Sequence, residues 1–208
     1  MNLIFLGPPG AGKGTQSKNL IERFDIPQIS TGDIIRAAIR SGSPLGVEVA
    51  EYANTGRLVP DDLVNRLASE RLADDDCRGG FLLDGYPRTV AQAEALDGVL
   101  LERGAPLDHV LLLEVDDSEL LDRITGRRSD PESGRVYHVT FDPPPEDLAA
   151  RLIQRPDDTA EVFGKRLREY HQKTAPLIPY YEDRGLLRRI DGRGSLGEVT
   201  ERVTHAVD

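Results

Sequence analysis

A chain of 208 residues, 38% hydrophobic and 30% charged, suits one α/β domain with room for insertions. Its net charge of −10 argues against nonspecific nucleic-acid binding, which needs a basic face to replace phosphate counterions. No apolar run approaches the ~20 residues that span a bilayer, and no basic stretch precedes the first apolar run as in a signal peptide. The single cysteine, Cys77, allows neither a disulfide framework nor a cysteine cluster for zinc, so a cytoplasmic protein with a buried, inert thiol is expected.

The chain begins with a short apolar run, Asn2 to Leu6, that reads as a buried strand. Gly7-Pro8-Pro9-Gly10-Ala11-Gly12-Lys13-Gly14-Thr15 follows, and then a helical stretch to Phe24 with Leu20, Ile21 and Phe24 on one face. Strand, glycine-rich turn and helix together form the context of a phosphate-binding loop. Backbone N–H groups can turn inward around an anion, the helix adds the positive end of its dipole, and Lys13 supplies a mobile charge. Gly14 stands where the general motif has a magnesium-ligating hydroxyl, with Thr15 one step later.

Ile26 to Ser30 reads as a second strand, and Thr31-Gly32-Asp33 starts a helix carrying Ile34, Ile35, Ala38 and Ile39. Ser41 to Pro44 breaks it, and a second short helix, Leu45 to Ala53, completes an excursion longer than a normal crossover. Leu63 to Ala73 is an amphipathic helix. Phe81 to Asp84 is a buried strand ending in a carboxylate, followed by Gly85-Tyr86-Pro87-Arg88, a helix from Thr89 to Glu102, and a strand from Val110 to Val115. Asp117-Ser118 caps a helix to Ile124. This alternation predicts a parallel sheet with helices on both faces and a site at the carboxyl ends of its strands.

From Gly126 to Asp158 the rhythm breaks. Pro131, Pro143-Pro144-Pro145 and Pro156 surround a polar alternating stretch, Gly134 to Val139, which predicts a small flap with a short hairpin, the usual form of an active-site lid. A helical pattern resumes at Thr159 and breaks near Pro176 and Pro179. Leu186 to Asp191 is the last strand and Ser195 to Val207 the last helix.

In so acidic a chain the placement of basic residues is informative. Arg36, Arg88, Arg123, Arg127, Arg155, Lys165 and Arg166 fall beside the candidate site or at the roots of the flap, where guanidinium groups can grip phosphate oxygens bidentately. Arg128 and Arg168 are read as surface residues. Asp84 ends a strand next to the phosphate loop, where a carboxylate can hold magnesium through water, and Asp33 is a second candidate of that kind. His138 is read as a hydrogen-bonding or stacking residue of the flap and His171 as a helix-flank residue, since phosphoryl transfer needs little proton chemistry from protein.

Gly7 to Thr15, Ser30 to Asp33, Gly80 to Thr89 and Gly134 to His138 together resemble the adenylate kinases of the long-lid type, and the resemblance runs to about Asp191. It implies a P-loop NTPase-like, three-layer α/β core with a five-stranded parallel sheet at 1–29, 60–125 and 159–208. A helical AMP-binding insertion at 30–59 and a lid at 126–158 complete the implied plan. The implied reaction is reversible phosphoryl transfer from magnesium-ATP to AMP, giving two ADP, by a monomer with no nucleic-acid or membrane partner. Gly14 before Thr15 is normal in that family.

By position, Gly10, Ala11, Gly12, Lys13, Gly14 and Thr15 match the family's ATP phosphate loop. Arg123 and Arg127 match its ATP-side arginines, Val136 and Tyr137 the lid residues over adenosine, and Gly194 a backbone contact to the ATP adenine. Thr31, Arg36, Arg57, Leu58, Val59, Gly85, Tyr86, Pro87, Arg88 and Gln92 match the AMP site, with Thr31 and Gln92 reading adenine and Arg36 and Arg88 holding phosphate. Arg155 and Arg166 match the pair bridging the transferring group. Lys13, Arg88, Arg123, Arg155 and Arg166 are thus the implied catalytic set. A cis Tyr86–Pro87 bond is implied as well.

The lid departs from the family's pattern. It lacks the four zinc-binding cysteines of some members, so no zinc is expected. Ser133 fits the polar set that replaces zinc in others, but Asp130 stands where histidine is common. The rival readings are a UMP or CMP kinase, a GTP:AMP phosphotransferase and a non-catalytic nucleotide-binding regulator. Thr31 favours adenine, because related pyrimidine kinases carry a smaller residue there.

Overall fold

The computed structural model describes residues 1–42, 44–55 and 59–208. In chain order the strands are β1 (Asn2–Leu6), β2 (Gln28–Ser30), β3 (Phe81–Asp84), β4 (His109–Glu114), β5 (Arg127–Ser129), β6 (Val136–His138) and β7 (Leu187–Asp191). Five of them form one parallel sheet in the order β2-β3-β1-β4-β7. The longer helices are α1 (Lys13–Phe24), α2 (Thr31–Ser41), α3 (Pro44–Thr55), α4 (Asp61–Leu72), α5 (Val90–Arg103) and α6 (Asp117–Thr125). The four-residue α7 (Glu146–Ala149) precedes α8 (Ala160–Glu169), α9 (Leu177–Glu182) and α10 (Leu196–His205).

Side chains of a strand alternate between faces, and here they divide the core in two. Ile4, Leu83, Val110 and Leu112 face α4, α5 and α9 through Leu63, Leu72, Leu96, Leu100, Leu177 and Tyr181. Leu3, Phe5, Leu82, Leu111 and Leu113 face the other way, against Leu20 of α1, Leu120 and Ile124 of α6, Phe163 of α8 and Val199 of α10. Each fully buried Leu, Ile or Phe adds about 1.5–3 kcal/mol, so the three layers hold the carboxyl ends of β1, β2 and β3 rigidly beside one another. The central strands β1, β3 and β4 read as nearly unbroken apolar runs because both faces are covered. Cys77 is buried in the first of these two cores, in the middle of a turn of 3-10 helix over Asp75–Gly79.

The five-stranded parallel sheet is as the sequence predicts, with two corrections. Pro179 does not break the chain: it lies in the first turn of α9, where a missing N–H costs nothing. The helical pattern after Thr159 also does not simply stop at Pro176. α8 passes into a π-helical turn over Tyr170–Thr174, closed by Ala175 N–H donating to Tyr170 O at 2.8 Å. In the flap, β5 and β6 pair antiparallel, Arg127 with His138 and Ser129 with Val136.

Candidate active site

The loop between β1 and α1 is shaped by its glycines. Gly7 has φ +144°, and a Cβ there would sit 2.7 Å from Leu113 O, so only glycine brings the chain this close to β4. Gly12 caps α1 in the left-handed region, and no side chain caps that helix. Its first N–H groups and the positive end of its dipole are therefore presented to the loop. Lys13 turns back over the loop, its Nζ donating to Gly7 O at 2.6 Å and Pro8 O at 3.0 Å. Burial pushes Lys13 down to about 8, against the pull of Asp84 and with the help of Arg88, Arg166 and Arg127. Lys13, Asp84 and these three arginines thus lie half-buried and within electrostatic reach of one another.

Asp84 stands at the end of β3, facing the start of α1: a Cβ on Gly14 would come within 3.9 Å of its Oδ2. That oxygen accepts a hydrogen bond from Gln28 Nε2 at 3.0 Å. Burial raises the Asp84 carboxyl, and Lys13 and Arg88 oppose the shift. Asp33 Oδ1 instead takes Arg36 Nη2 at 2.5 Å. Burial would raise Asp33 too, but the Arg36 charge and hydrogen bond bring it below its usual value.

The turn after β3 organises the acceptor side. Gly85 O accepts from Thr31 Oγ1 at 2.9 Å and from Arg88 Nε at 2.7 Å, tying the start of α2 to the arginine. The Tyr86–Pro87 bond is cis, and the Tyr86 hydroxyl donates to Asn65 Oδ1 at 2.8 Å. Gln92 is buried with both ends of its amide engaged, Oε1 accepting Arg88 N–H at 2.7 Å and Nε2 donating to Asp61 Oδ1 at 2.8 Å. Burial lowers Arg88, with Asp84 opposing and Arg36 reinforcing the shift. Val59 is buried in the core; Arg57 and Leu58 lie outside the described residues.

At the lid's roots the arginines carry carboxylate partners. Arg127 binds both oxygens of Asp158, and Arg166 Nη1 reaches Asp157 Oδ2 at 2.5 Å. Arg155 Nε donates to Ser129 Oγ at 3.1 Å. Burial first, then Arg127 and Arg36, push Arg155 down to about 10; burial also brings Arg166 to about 10, so both stay charged at neutral pH.

Arg123 stands on the other flank, between Glu119 Oε2 and Gly192 O, each at 3.2 Å. It therefore lies beside the loop of Gly194, which Arg202 Nη1 braces through Asp191 O and Arg193 O. Val136 pairs with Ser129, and Tyr137 is buried in the lid under the Arg135 guanidinium.

The lid itself is built around Asp130, which is only 1% exposed. Its carboxylate accepts from Ser133 Oγ and Arg151 Nη2, each at 2.6 Å, and from Glu132 N–H at 3.1 Å, while Arg151 Nη1 reaches Glu132 Oε2 at 2.7 Å. An ion pair thus stands at the centre of the lid, where the sequence showed only a fitting Ser133 and the departure Asp130. His138 Nδ1 accepts the N–H groups of Thr140 and Phe141, and its Nε2 lies 3.0 Å from Asp122 O of α6. His138 also stacks on Phe141, as expected of a flap residue.

Sequence reading missed Gln28, Asp61, Ser129, Asp157, Asp158 and Thr174. The only local signal among them was the Asp157-Asp158 pair immediately after Arg155-Pro156.

Comparison with known proteins agrees with this arrangement. The family model described as adenylate kinase matches residues 5–186. The adenylate kinase of Geotalea uraniireducens is 52% identical over 208 residues, covering 98% of this chain and 96% of that protein. That of Trichlorobacter lovleyi is 50% identical over 212 residues, covering 100% and 99%, and that of Desulfitobacterium hafniense 47% identical over 213 residues, covering 100% and 98%. A glycine-shaped loop closed by Lys13, an acceptor turn ending in Arg88 and a lid rooted in arginines lie within a match of nearly full length, and the chain belongs to the adenylate kinase family.

Proposed function

We propose that this chain catalyses reversible phosphoryl transfer from magnesium-ATP to AMP with the residues described above in defined roles. The observation that carries these roles is that Lys13, half-buried and folded back onto Gly7 O and Pro8 O, stands within electrostatic reach of Arg88, Arg127 and Arg166 beside the loop. A phosphoryl group in transfer spreads charge over its oxygens and needs positioning and positive charge more than proton chemistry.

The loop from Gly10 to Thr15 holds the donor's phosphates through backbone N–H groups, and Lys13 leaves its carbonyl partners to meet them. Arg123, the Gly194 loop, Val136 and Tyr137 hold the donor's base and ribose, and Arg127 its phosphates. On the other side Arg36 and Arg88 hold the AMP phosphate, with Thr31, Arg57, Leu58, Val59 and the turn of Gly85, Tyr86 and Pro87 around the nucleoside. Gln92 reads adenine after releasing one of its internal hydrogen bonds. Arg155 and Arg166 bridge the two nucleotides. Closing of the lid at 126–158 and the insertion at 30–59 over the core excludes water, so that the phosphoryl group is not lost to hydrolysis. In-line placement of the two nucleotides allows direct transfer with no covalent intermediate.

The residues present fit magnesium. Asp84 is a hard oxygen donor in a space that Gly14 leaves open, and magnesium characteristically takes one or two carboxylates together with phosphates and waters. Among the described residues no group of three or more His, Cys, Asp or Glu could hold a metal, so the remaining ligands come from nucleotide and solvent. Magnesium supplies neutralisation of the phosphate charge. Asp33, already committed to Arg36, is the weaker candidate.

Among the described residues no helix is long and apolar enough to cross a membrane. The net charge of −10 supports free nucleotides rather than nucleic acid as its partners, and a cytoplasmic monomer is the assembly proposed with this reading. A coupled assay of ADP formation with a panel of nucleoside monophosphates tests the acceptor. Preference for UMP or CMP refutes AMP, and a parallel panel of ATP and GTP tests the donor. An analogue joining two adenosines through a phosphate chain is expected to bind one molecule per chain.

A further inference from the structure

The π-helical turn between α8 and α9 has a sequence cause. Pro176 cannot donate to the carbonyl four residues back, and in a continuous α-helix its ring would collide with Gln172 O. The chain avoids this by widening one turn, so that Ala175 N–H rather than Thr174 N–H reaches Tyr170 O, at 2.8 Å. One added residue rotates everything after it by about 100°, and such single-turn bulges are frequent at functional sites.

Here the side chain the bulge sets is Thr174. It is buried, and its Oγ1 donates to Arg88 O at 2.8 Å, across 86 residues of chain. On the other side of the same residue, Arg88 N–H donates to Gln92 Oε1 at 2.7 Å. The peptide groups on both sides of Arg88 are therefore fixed by side chains from two different helical segments. The guanidinium is fixed in turn by Gly85 O, which takes Nε at 2.7 Å. An arginine that lines a buried cationic site repels its neighbours, and it stays in place only if its backbone is over-determined.

We propose that Thr174 is a positioning residue for phosphoryl transfer, setting the Arg88 backbone so that its guanidinium meets the acceptor phosphate. It touches no reacting atom and acts through Arg88. The proposal rests on the reading of Arg88 as the acceptor-phosphate residue.

Thr174→Val keeps the shape and deletes the donor, while Thr174→Ser keeps the donor. With AMP and ATP varied in turn, Thr174→Val is expected to lower kcat and raise KM for AMP, a combined loss of about ten- to a hundredfold in kcat/KM for AMP. KM for ATP and the melting temperature should hardly change, and Thr174→Ser should restore most of the loss. In an Arg88→Ala background, Thr174→Val should add almost nothing, because its route of action is gone. Unchanged kinetics in Thr174→Val, equal shifts in both KM values with a lower melting temperature, or undiminished effect without Arg88 would each overturn the proposal. If Thr174→Val does not fold, Thr174→Ala takes its place, and failure of both makes Thr174 a purely structural residue. Should Arg88→Ala alone turn over normally, the reading of Arg88 falls; should it collapse while Thr174→Val does not, only the role of Thr174 falls.

Discussion

Asp158, with none of its side chain exposed, holds Arg127 by both carboxylate oxygens at the root of the lid. Arg127 is itself only 18% exposed, so each charge is desolvated and depends on the other. Breaking such a pair by removing one partner costs about 3–5 kcal/mol where both are buried.

Asp158→Asn is therefore expected to loosen the lid root locally and to raise KM for ATP, because the unpaired guanidinium no longer has a fixed direction. Hydrogen exchange over 126–158 checks the first effect and initial rates the second. Unchanged exchange there would show that the pair does not hold the lid.

Arg88→Ala removes a charge from the acceptor side without touching either half of the core. Loss of one pre-aimed donor to a developing charge costs on the order of a hundred- to a thousandfold in rate. The coupled ADP assay should show that loss alongside an unshifted thermal melt. Near-normal turnover would remove Arg88 from the site.

The lid should respond to acid through Asp130. Hydrogen bonds from Ser133 and Arg151 hold its carboxyl at about 2, well below the usual carboxylate range, against the opposing effect of burial. A lowered carboxyl contributes stability that is complete above its unfolded value and is lost as pH falls through its folded one. Lid protection is thus expected to persist to about pH 4 and to fall between there and pH 2. Pepsin cleavage within 126–158 across that window measures it, and Asp130→Asn should be cut already at pH 4.

Gly126→Ala tests the joint between lid and core. A Cβ at Gly126 would overlap the His138 imidazole, 2.5 Å from its Cε1, and would push Nε2 off Asp122 O. Overpacking of this kind costs about 1–3 kcal/mol. A lower melting temperature and faster exchange around His138 are expected, and restoration by adding His138→Ala would identify the overlap as the cause.

The fold was legible because its central strands are short apolar runs, such as Phe81 to Leu83, that end in polar or turn residues. The site was legible where local chemistry marks it: the glycines before Lys13, and arginines clustered at the ends of a proline-rich flap. Partnerships were not legible. Nothing near Gln28 announces Asp84, 56 residues away, and nothing near Thr174 announces Arg88. The helical pattern after Thr159 hid the π turn, because what marks it is one hydrogen bond, Ala175 N–H to Tyr170 O, lying directly before Pro176, where the pattern breaks in any case. Gln92 shows the reverse case, in which a residue assigned to a base is found holding the protein's own backbone.

The hydrogen bonds from Lys13 to Gly7 O and Pro8 O bear on what happens when nucleotide arrives. An unfilled ring of inward N–H groups would tend to collapse or wander, and binding would then carry the cost of ordering it. Here the ammonium acts as a resident strut. Docking becomes an exchange of one set of oxygens for another around the same nitrogen, with little loss of chain entropy. Lys13→Met, which keeps the length but loses the charge, should therefore disorder the loop measured without nucleotide as well as weaken the grip on ATP. Two jobs that are usually separate, scaffold and ligand, fall to one side chain.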